Sequence, residues 1–412
     1  MSIDTYLLKK HIRRNDFEKD ADSNEVRNQI ILDALSILDS SSFLAFYKPT
    51  SLKSRCVYST TNIGAKVVER ALISEINKRS KIKMSNRERI SRQLATVLCF
   101  EMLEFKLYKL DIKNFFDTVP KNEIVSLLSG IGMPDIYTQL INKTISIKPG
   151  PTGLPQGLPI SSFLAELYLK EFDRTMLKQK NNLFYSRFVD DIILLTTGQE
   201  TFDEQYDFVK SVLPREIVLN DSKTYYFNSN NFRRKKEMSF EYLGYRYNMV
   251  ARRKKRSFSI DLGAKKENKI KQRIYLSLAQ FEKTLSSPLD KERVEGGFKD
   301  LRDRINYITG NVEIDDFKKQ KRIKTGLSYS HRLIDGSNSP SLSRLDRFIY
   351  GQITRILNDK SKMEELRTQL PSVHNDLTSL LKVSIKTRFN KKYFISFSNN
   401  RLNEIKQAWK YE

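Results

Sequence analysis

The chain holds 412 residues, with 73 Lys or Arg against 49 Asp or Glu and a net charge of +24. An excess of that size exceeds what solubility requires and marks a polyanion as the expected partner. With 39% hydrophobic and 11% aromatic residues, the chain has the apolar mass for two or three folded units, which excludes a disordered basic tail. The first twenty residues are interrupted by charges, and nowhere do eighteen apolar residues run together. A cytoplasmic protein without a membrane partner is expected. Cys56 and Cys99 are the only cysteines, and His11, His331 and His374 lie far apart, which argues against a disulfide framework, a zinc knuckle and a His-rich nuclease centre.

In chain order, Val26, Ile30, Ile31, Leu35 and Leu38 predict a helix over 24–39. A β-hairpin is predicted from 43–47 and 55–59, with Pro49 in the turn, followed by a helix over 65–79. A strand at 106–112 runs into a helix beginning near Pro120. Gly and Pro crowd 150–162 ahead of an apolar helix over 162–177. Strands at 183–188 and 192–196 are joined by a very tight turn at Val189-Asp190-Asp191. Segments 239–248 and 257–262 read as one further hairpin, and the last 150 residues as helices. Their stripes are Ile270, Ile274, Leu278, Phe281 and Leu285, then Val294, Phe298, Leu301 and Ile305, then Leu342 to Leu357.

Two apolar strand segments each deliver acid. Asp111 interrupts the run YKLDI, and Asp190-Asp191 separates YSRFV from IILL. Carboxylates gathered where strands converge are costly unless a cation neutralises them. Hard oxygen donors suit Mg²⁺, which commonly takes substrate phosphate as a further ligand, and two such ions assist phosphoryl transfer. An Asp-Asp pair by itself decides nothing, since a second one, Asp315-Asp316, lacks flanking strand pattern and reads as a solvated surface pair.

The order of motifs decides more. LDIKNFFDTVP (110–120), GLPQGLPISSFLAELYL (153–169), YSRFVDDIILL (185–195), LNDSKTYYF (219–227) and EYLGYRY (241–247) follow one another. This series resembles the palm of reverse transcriptases over roughly residues 40–250. The resemblance implies an α+β right-hand polymerase fold. Residues 1–105 would form N-terminal helices and fingers, 106–262 the palm, and 263–412 a mainly helical thumb-like domain. It also implies an RNA-directed DNA polymerase using two Mg²⁺ ions, with Mn²⁺ as a substitute.

By the same resemblance, Asp111 and Asp190 hold the metals and Asp191 supports them, while Asp117 is read as a structural residue that caps or turns the chain. Phe116 would pack under the incoming sugar and exclude a 2′-hydroxyl, its neighbour Phe115 being a core residue; strand alternation would let only one of them face the nucleotide. Gln156 and Gly157 would contact template and nucleotide. Ser161-Ser162 departs from the serine-proline pair of many relatives and puts the local start of the helix in question. Lys53 and Arg55 would grip the triphosphate, and Lys223 would protonate the leaving pyrophosphate; the alternative for each is a surface cation. Arg187 precedes the acidic turn as in bacterial relatives, or simply pairs with a carboxylate.

Between residues 231 and 275 there are 15 Lys or Arg and 4 Asp or Glu, an excess of 11. Arg233, Arg234, Lys235 and Lys236, with Arg252, Arg253, Lys254, Lys255 and Arg256, are therefore expected to bind nucleic acid through phosphate contacts. Retron enzymes carry a histidine-bearing block ahead of the PQG segment, which this chain lacks. The C-terminal segments 304–314, 323–335 and 403–412 resemble those of the abortive-infection and defence-associated reverse transcriptases. That resemblance implies antiphage defence with dNTPs as substrates and a partner noncoding RNA as template of a DNA product. Template-independent or protein-primed synthesis, a retron or group II intron role, and a non-enzymatic RNA-binding scaffold are the alternatives. A homo-oligomer or an accessory defence protein is a further possible partner.

Overall fold

The computed structural model describes residues 5–13, 16, 24–39, 43–52, 55–99, 104–230, 237–252, 255–286, 288–316 and 321–409. The chain separates into two compact units, Met1–Arg234 and Lys235–Glu412.

The first unit begins with helices α1 (Thr5–His11) and α2 (Asn24–Asp39). Ile30, Ile31, Ala34 and Ile37 of α2 are buried, and Gly64 lets α3 (Ile63–Ser80) come close: a Cβ there would meet Ala34 N at 2.9 Å. Strands β1 (Lys48–Leu52) and β2 (Arg55–Ser59) pair antiparallel. The predicted first strand at 43–47 is instead a 3₁₀ turn, Phe43–Phe46, and the strand lies later, through Pro49. The reason is burial: Tyr47 is drawn into the core ahead of the ribbon, whereas β1 is exposed along its whole length and as an edge strand tolerates proline's missing N–H.

After α4 (Arg87–Leu98) comes a four-stranded antiparallel sheet of β3 (Lys106–Asp111), β4 (Asn182–Phe188), β5 (Asp191–Thr196) and β6 (Tyr225–Asn228), in the order β4-β5-β3-β6. Ile192, Ile193, Leu194 and Leu195 of the interior strand β5 are all fully buried, which explains an unbroken apolar run where an antiparallel strand with one wet face would alternate. Between β3 and β4 run α5 (Phe115–Thr118), α6 (Lys121–Gly130), α7 (Asp135–Ile145), α8 (Pro159–Tyr168) and α9 (Lys170–Leu177), and α10 (Phe202–Val212) follows β5. The single helix predicted over 162–177 is thus two, separated at Leu169, and it begins earlier, with Pro159 at the first helical position where its missing N–H costs nothing.

The second unit opens with a meander of β7 (Glu237–Tyr242), β8 (Tyr245–Arg252) and β9 (Lys255–Leu262). Segment 239–248, predicted as one strand, folds back on itself at Leu243-Gly244, whose φ values of 48° and 79° are the positive pair that a two-residue hairpin turn requires. Phe240 and Tyr247 face each other across it with ring centroids 5.1 Å apart. This sheet pairs only with itself and opens the second compact unit.

Helices α11 (Ala264–Glu282), α12 (Lys291–Thr309), α13 (Leu327–Ser330), α14 (Pro340–Leu357), α15 (Lys360–Gln369), α16 (Pro371–Ser379), α17 (Ile385–Asn390) and α18 (Asn399–Gln407) make up most of the remainder. The stripes Ile270-Ile274-Leu278-Phe281, Val294-Phe298-Leu301-Ile305 and Leu342-Leu345-Ile349-Ile353-Ile356 are buried. The region is not wholly helical. Strands β10 (Asn311–Asp316), β11 (Lys321–Gly326) and β12 (Phe394–Ile395) form a small sheet, and Asp315-Asp316 ends β10 in register with Arg322 and Lys321. Among the described residues no helix is long and apolar enough to cross a membrane.

Candidate active site

Strand β3 ends on Asp111 and β5 begins on Asp191, and the antiparallel register sets these two directly opposite each other. Asp190 lies in the tight turn that joins β4 to β5, and Ile112 N donates to its carbonyl at 3.0 Å. One backbone ladder therefore holds all three carboxylates. Asp111 is buried; Asp190 and Asp191 are half-buried. Burial pushes the Asp190 carboxyl pKa up and the neighbouring Asp111 adds to it, while Lys223 and Arg55 oppose the shift. Burial and the adjacent Asp190 likewise push Asp191 up.

The turn needs support, because Val189 adopts φ 60°, a conformation that a β-branched residue rarely enters. Arg187 supplies it. Its buried guanidinium donates to Val189 O at 2.8 Å, to both oxygens of Glu166 at 3.2 and 2.8 Å, and to both oxygens of Asp173 at 2.9 and 2.6 Å. Tyr185 Oη donates to Asp173 at 2.5 Å. Both alternatives for Arg187 meet here, since it pairs with carboxylates and by doing so holds the acidic turn. Glu166 had a readable signal: a lone acid in the apolar run SFLAELYL demands a buried partner. Asp173 had none.

Lys223 closes the site from the other side. Its Nζ lies 3.1 and 3.0 Å from the two oxygens of Asp111, and Asn220 Nδ2 donates to Asp111 Oδ2 at 3.3 Å. Asn220 N also donates to Asp111 O at 2.7 Å, ahead of a 3₁₀ turn, Asp221–Lys223. Asn220 escaped the reading of the sequence because nothing local distinguishes it from any loop asparagine.

The PQG segment packs against both the first acidic block and the β1–β2 ribbon. Leu154 N donates to Phe116 O at 2.7 Å, and Tyr58 N donates to Gln156 O at 2.7 Å. Gly157 has φ 97°, and a Cβ there would meet Val57 Cγ1 at 2.5 Å and Tyr58 O at 2.6 Å. Its lack of a side chain thus admits β2. Gln156 Nε2 reaches Asp117 Oδ2 at 3.5 Å, and Asp117 is also ion-paired with Lys148. Ser161 resolves the departure noted at the start of α8: its Oγ donates to Pro155 O at 2.7 Å, while Glu69 of α3 accepts from Ile160 N at 2.9 Å. Phe115 is buried and Phe116 half-buried, with centroids 5.7 Å apart. They are separated by the helical turn α5, which starts after Asn114 at φ 49°, rather than by the predicted strand alternation.

Arg55 opens β2 and is exposed. Lys53, Arg233, Arg234, Lys235, Lys236, Arg253 and Lys254 lie outside the described residues, as do the side chains of Arg252, Lys255 and Arg256.

Among the described residues no three His, Cys, Asp or Glu side chains converge on one cation position. Asp111 and Asp190 offer only hard oxygen donors, and the charge of Asp111 raises the proton affinity of Asp190 and Asp191. Such a set fits an ion that draws its remaining ligands from water and phosphate, as Mg²⁺ does.

Residues 47–247, which hold every part of this site, match the family described as reverse transcriptase (RNA-dependent DNA polymerase). They form a reverse transcriptase domain. Among curated proteins, the chain is similar to the Retron Ec86 reverse transcriptase of Escherichia coli, 26% identical over 121 residues, which are 29% of this chain and 37% of that protein. The Retron Ec83 reverse transcriptase of the same organism is 27% identical over 134 residues, 29% of this chain and 43% of that one. The matches thus span under half the length of these relatives, and both are retron enzymes, the type the missing histidine block argued against. Among solved structures, telomerase from Candida albicans with a fragment of telomeric RNA aligns at 12% identity and TM-score 0.35, covering 84% of this chain and 56% of that one. Apo telomerase from Candida tropicalis aligns at 14% identity and TM-score 0.36, covering 83% and 59%. The sheet and carboxylates of the reverse transcriptase domain supply the α+β right-hand polymerase fold that the motif order predicts, and a largely helical region follows it.

Proposed function

We propose that this chain is an RNA-directed DNA polymerase of the retron type that synthesises DNA by two-metal nucleotidyl transfer. The observation carrying the proposal is the register that sets Asp111 opposite Asp191, with Asp190 beside them, inside a reverse transcriptase domain. Asp111 and Asp190 would hold the divalent ions. Those ions, Mg²⁺ with Mn²⁺ as substitute, would activate the attacking hydroxyl and stabilise the leaving oxygen.

The chain's own groups do the rest. Arg55, whose charge already bears on Asp190, binds the triphosphate through its planar donor fork. Lys223 Nζ keeps a proton available to the leaving pyrophosphate. Phe116 excludes the ribose 2′-hydroxyl, and Gln156 contacts the template. The basic residues of 233–236 and 252–256 hold the phosphate backbone, an interaction that weakens steeply with salt. In this reading residues 1–105 serve as fingers, the following sheet as palm and the C-terminal helices as thumb.

The template we propose is a partner noncoding RNA, and the role is antiphage defence, both supported by the C-terminal resemblance to defence-associated enzymes. The deciding experiment gives the purified chain an RNA template, a DNA primer, dNTPs and Mg²⁺. DNA synthesis is expected from the native protein, and none from Asp190→Ala/Asp191→Ala that still unfolds cooperatively. Undiminished synthesis by the double variant would refute the assignment, and synthesis independent of added RNA would favour the template-independent alternative.

A further inference from the structure

Four rings of the first unit pack together. Tyr108 lies 6.2 Å from Phe202 and 5.1 Å from Tyr226, and Phe202 lies 5.3 Å from Tyr206 and 5.2 Å from Tyr226, all between ring centroids. Tyr108 is fully buried. The other three line an open surface cavity of about 670 Å³, a volume far above what one metal ion fills.

Two features give this cavity a chemical preference. Its walls carry Asp203, Asp207 and Asp221 against a single cation, Lys210, so the local charge is negative in a chain whose net charge is +24. The aromatic faces also attract cations through their quadrupoles. One cation already exploits this: Lys210 Nζ lies 4.3 Å from the Tyr206 ring centroid. Tyr206 Oη is hydrogen-bonded to Asp221, which fixes the ring while keeping a carboxylate at the rim.

We propose that this cavity binds a linear polyamine, with its ammonium groups on Asp203, Asp207 and Asp221 and its methylene chain across Phe202, Tyr206 and Tyr226. A basic peptide would present similar groups. A macromolecule bringing many positive charges, however, must approach the whole cationic chain, whereas a small ligand within a Debye length of the pocket feels mainly the local carboxylates. Asp221 also begins the 3₁₀ turn that ends on Lys223, the partner of Asp111. Polyamine binding therefore bears on the turn that serves the catalytic carboxylate.

The test is calorimetric titration of spermidine into the full chain freed of nucleic acid, and it is independent of polymerase activity. Saturable binding is expected, weakened about tenfold in Asp203→Asn/Asp207→Asn, which removes two exposed ion pairs at once. Lys210→Gln, which removes the internal competitor, is expected to tighten it. Any of these overturns the proposal: no saturable heat; an affinity unchanged in the double variant; or loss of the spermidine signal in an equal concentration of Mg²⁺, which marks simple counter-ion exchange. An arginine-rich peptide that saturates the site while spermidine does not compete also overturns it, in favour of a protein partner.

Discussion

Lys223 places its ammonium 3.0 and 3.1 Å from the two oxygens of Asp111, a residue 112 positions earlier in the chain. The lysine comes from the turn before β6 and the aspartate from the end of β3, and these strands pair antiparallel. A cation thus already sits on one carboxylate assigned to metal, and in the proposed reaction it has a second task, at the leaving group. Lys223→Ala is expected to lower kcat by about 10²-fold with a smaller change in the KM for dNTP, the size of effect usual for a lost general acid. Single-turnover rates across pH check this. If the pH profile of the variant overlays that of the native enzyme, Lys223 transfers no proton.

Arg187 anchors the acidic turn by donating to Val189 O while pairing with Glu166 and Asp173. Arg187→Ala leaves the buried Glu166 and the half-buried Asp173 without their partner, and breaking a buried pair costs about 3–5 kcal/mol. Urea unfolding is expected to show a midpoint lowered accordingly, with DNA synthesis reduced even where the variant remains folded. Loss of stability without loss of kcat would mean that the strained turn holds itself.

Phe116 is half-buried beside the PQG segment, its carbonyl accepting from Leu154 N. Phe116→Ala is expected to raise ribonucleotide incorporation relative to deoxynucleotide by at least about tenfold, the scale on which a pocket resolves small changes in volume. Competition between the two nucleotides at one template position measures the ratio. Equal discrimination by variant and native enzyme would remove Phe116 from the sugar pocket.

Glu267, buried in α11, accepts from Arg344 at 3.0 and 2.7 Å and pairs with Lys271 at 2.8 Å. Burial alone would push its carboxyl up, but the hydrogen bonds from Arg344 and Lys271 more than offset this and hold the pKa at about 2, against an ordinary 4.5. Because the folded pKa is the lower one, this group's stabilisation is complete above about pH 4.5 and is lost as pH falls toward 2. Denaturant unfolding at pH 7 and pH 3 is expected to show Glu267→Gln much less stable than the native chain at pH 7, with the gap narrowing at pH 3. A gap of equal size at both values would contradict the ion-pair account.

Much of the secondary structure was legible because its causes are local. Helix α14 shows its buried stripe at 342, 345, 349, 353 and 356, and β5 shows an apolar run bounded by Asp191. The misreadings arose where a nearby event overrode periodicity. Leu243 and Gly244 turn back what alternation predicted as one strand, and Phe46 and Tyr47 pack onto the core from a 3₁₀ turn and the residue after it, so the exposed strand β1 begins only at Lys48.

The sequence by itself determined the acids, their order along the chain and the sign of the partner's charge, because composition and motif spacing are properties of the chain alone. Only the tertiary structure decided that Asp111 meets Lys223 and Asn220, that Arg187 takes Glu166 and Asp173 together, and that Gly157 makes room for β2. Each of these depends on which strands and helices become neighbours. That is settled by the burial of all their apolar faces at once, with the polar partners following wherever the packed backbones set them down.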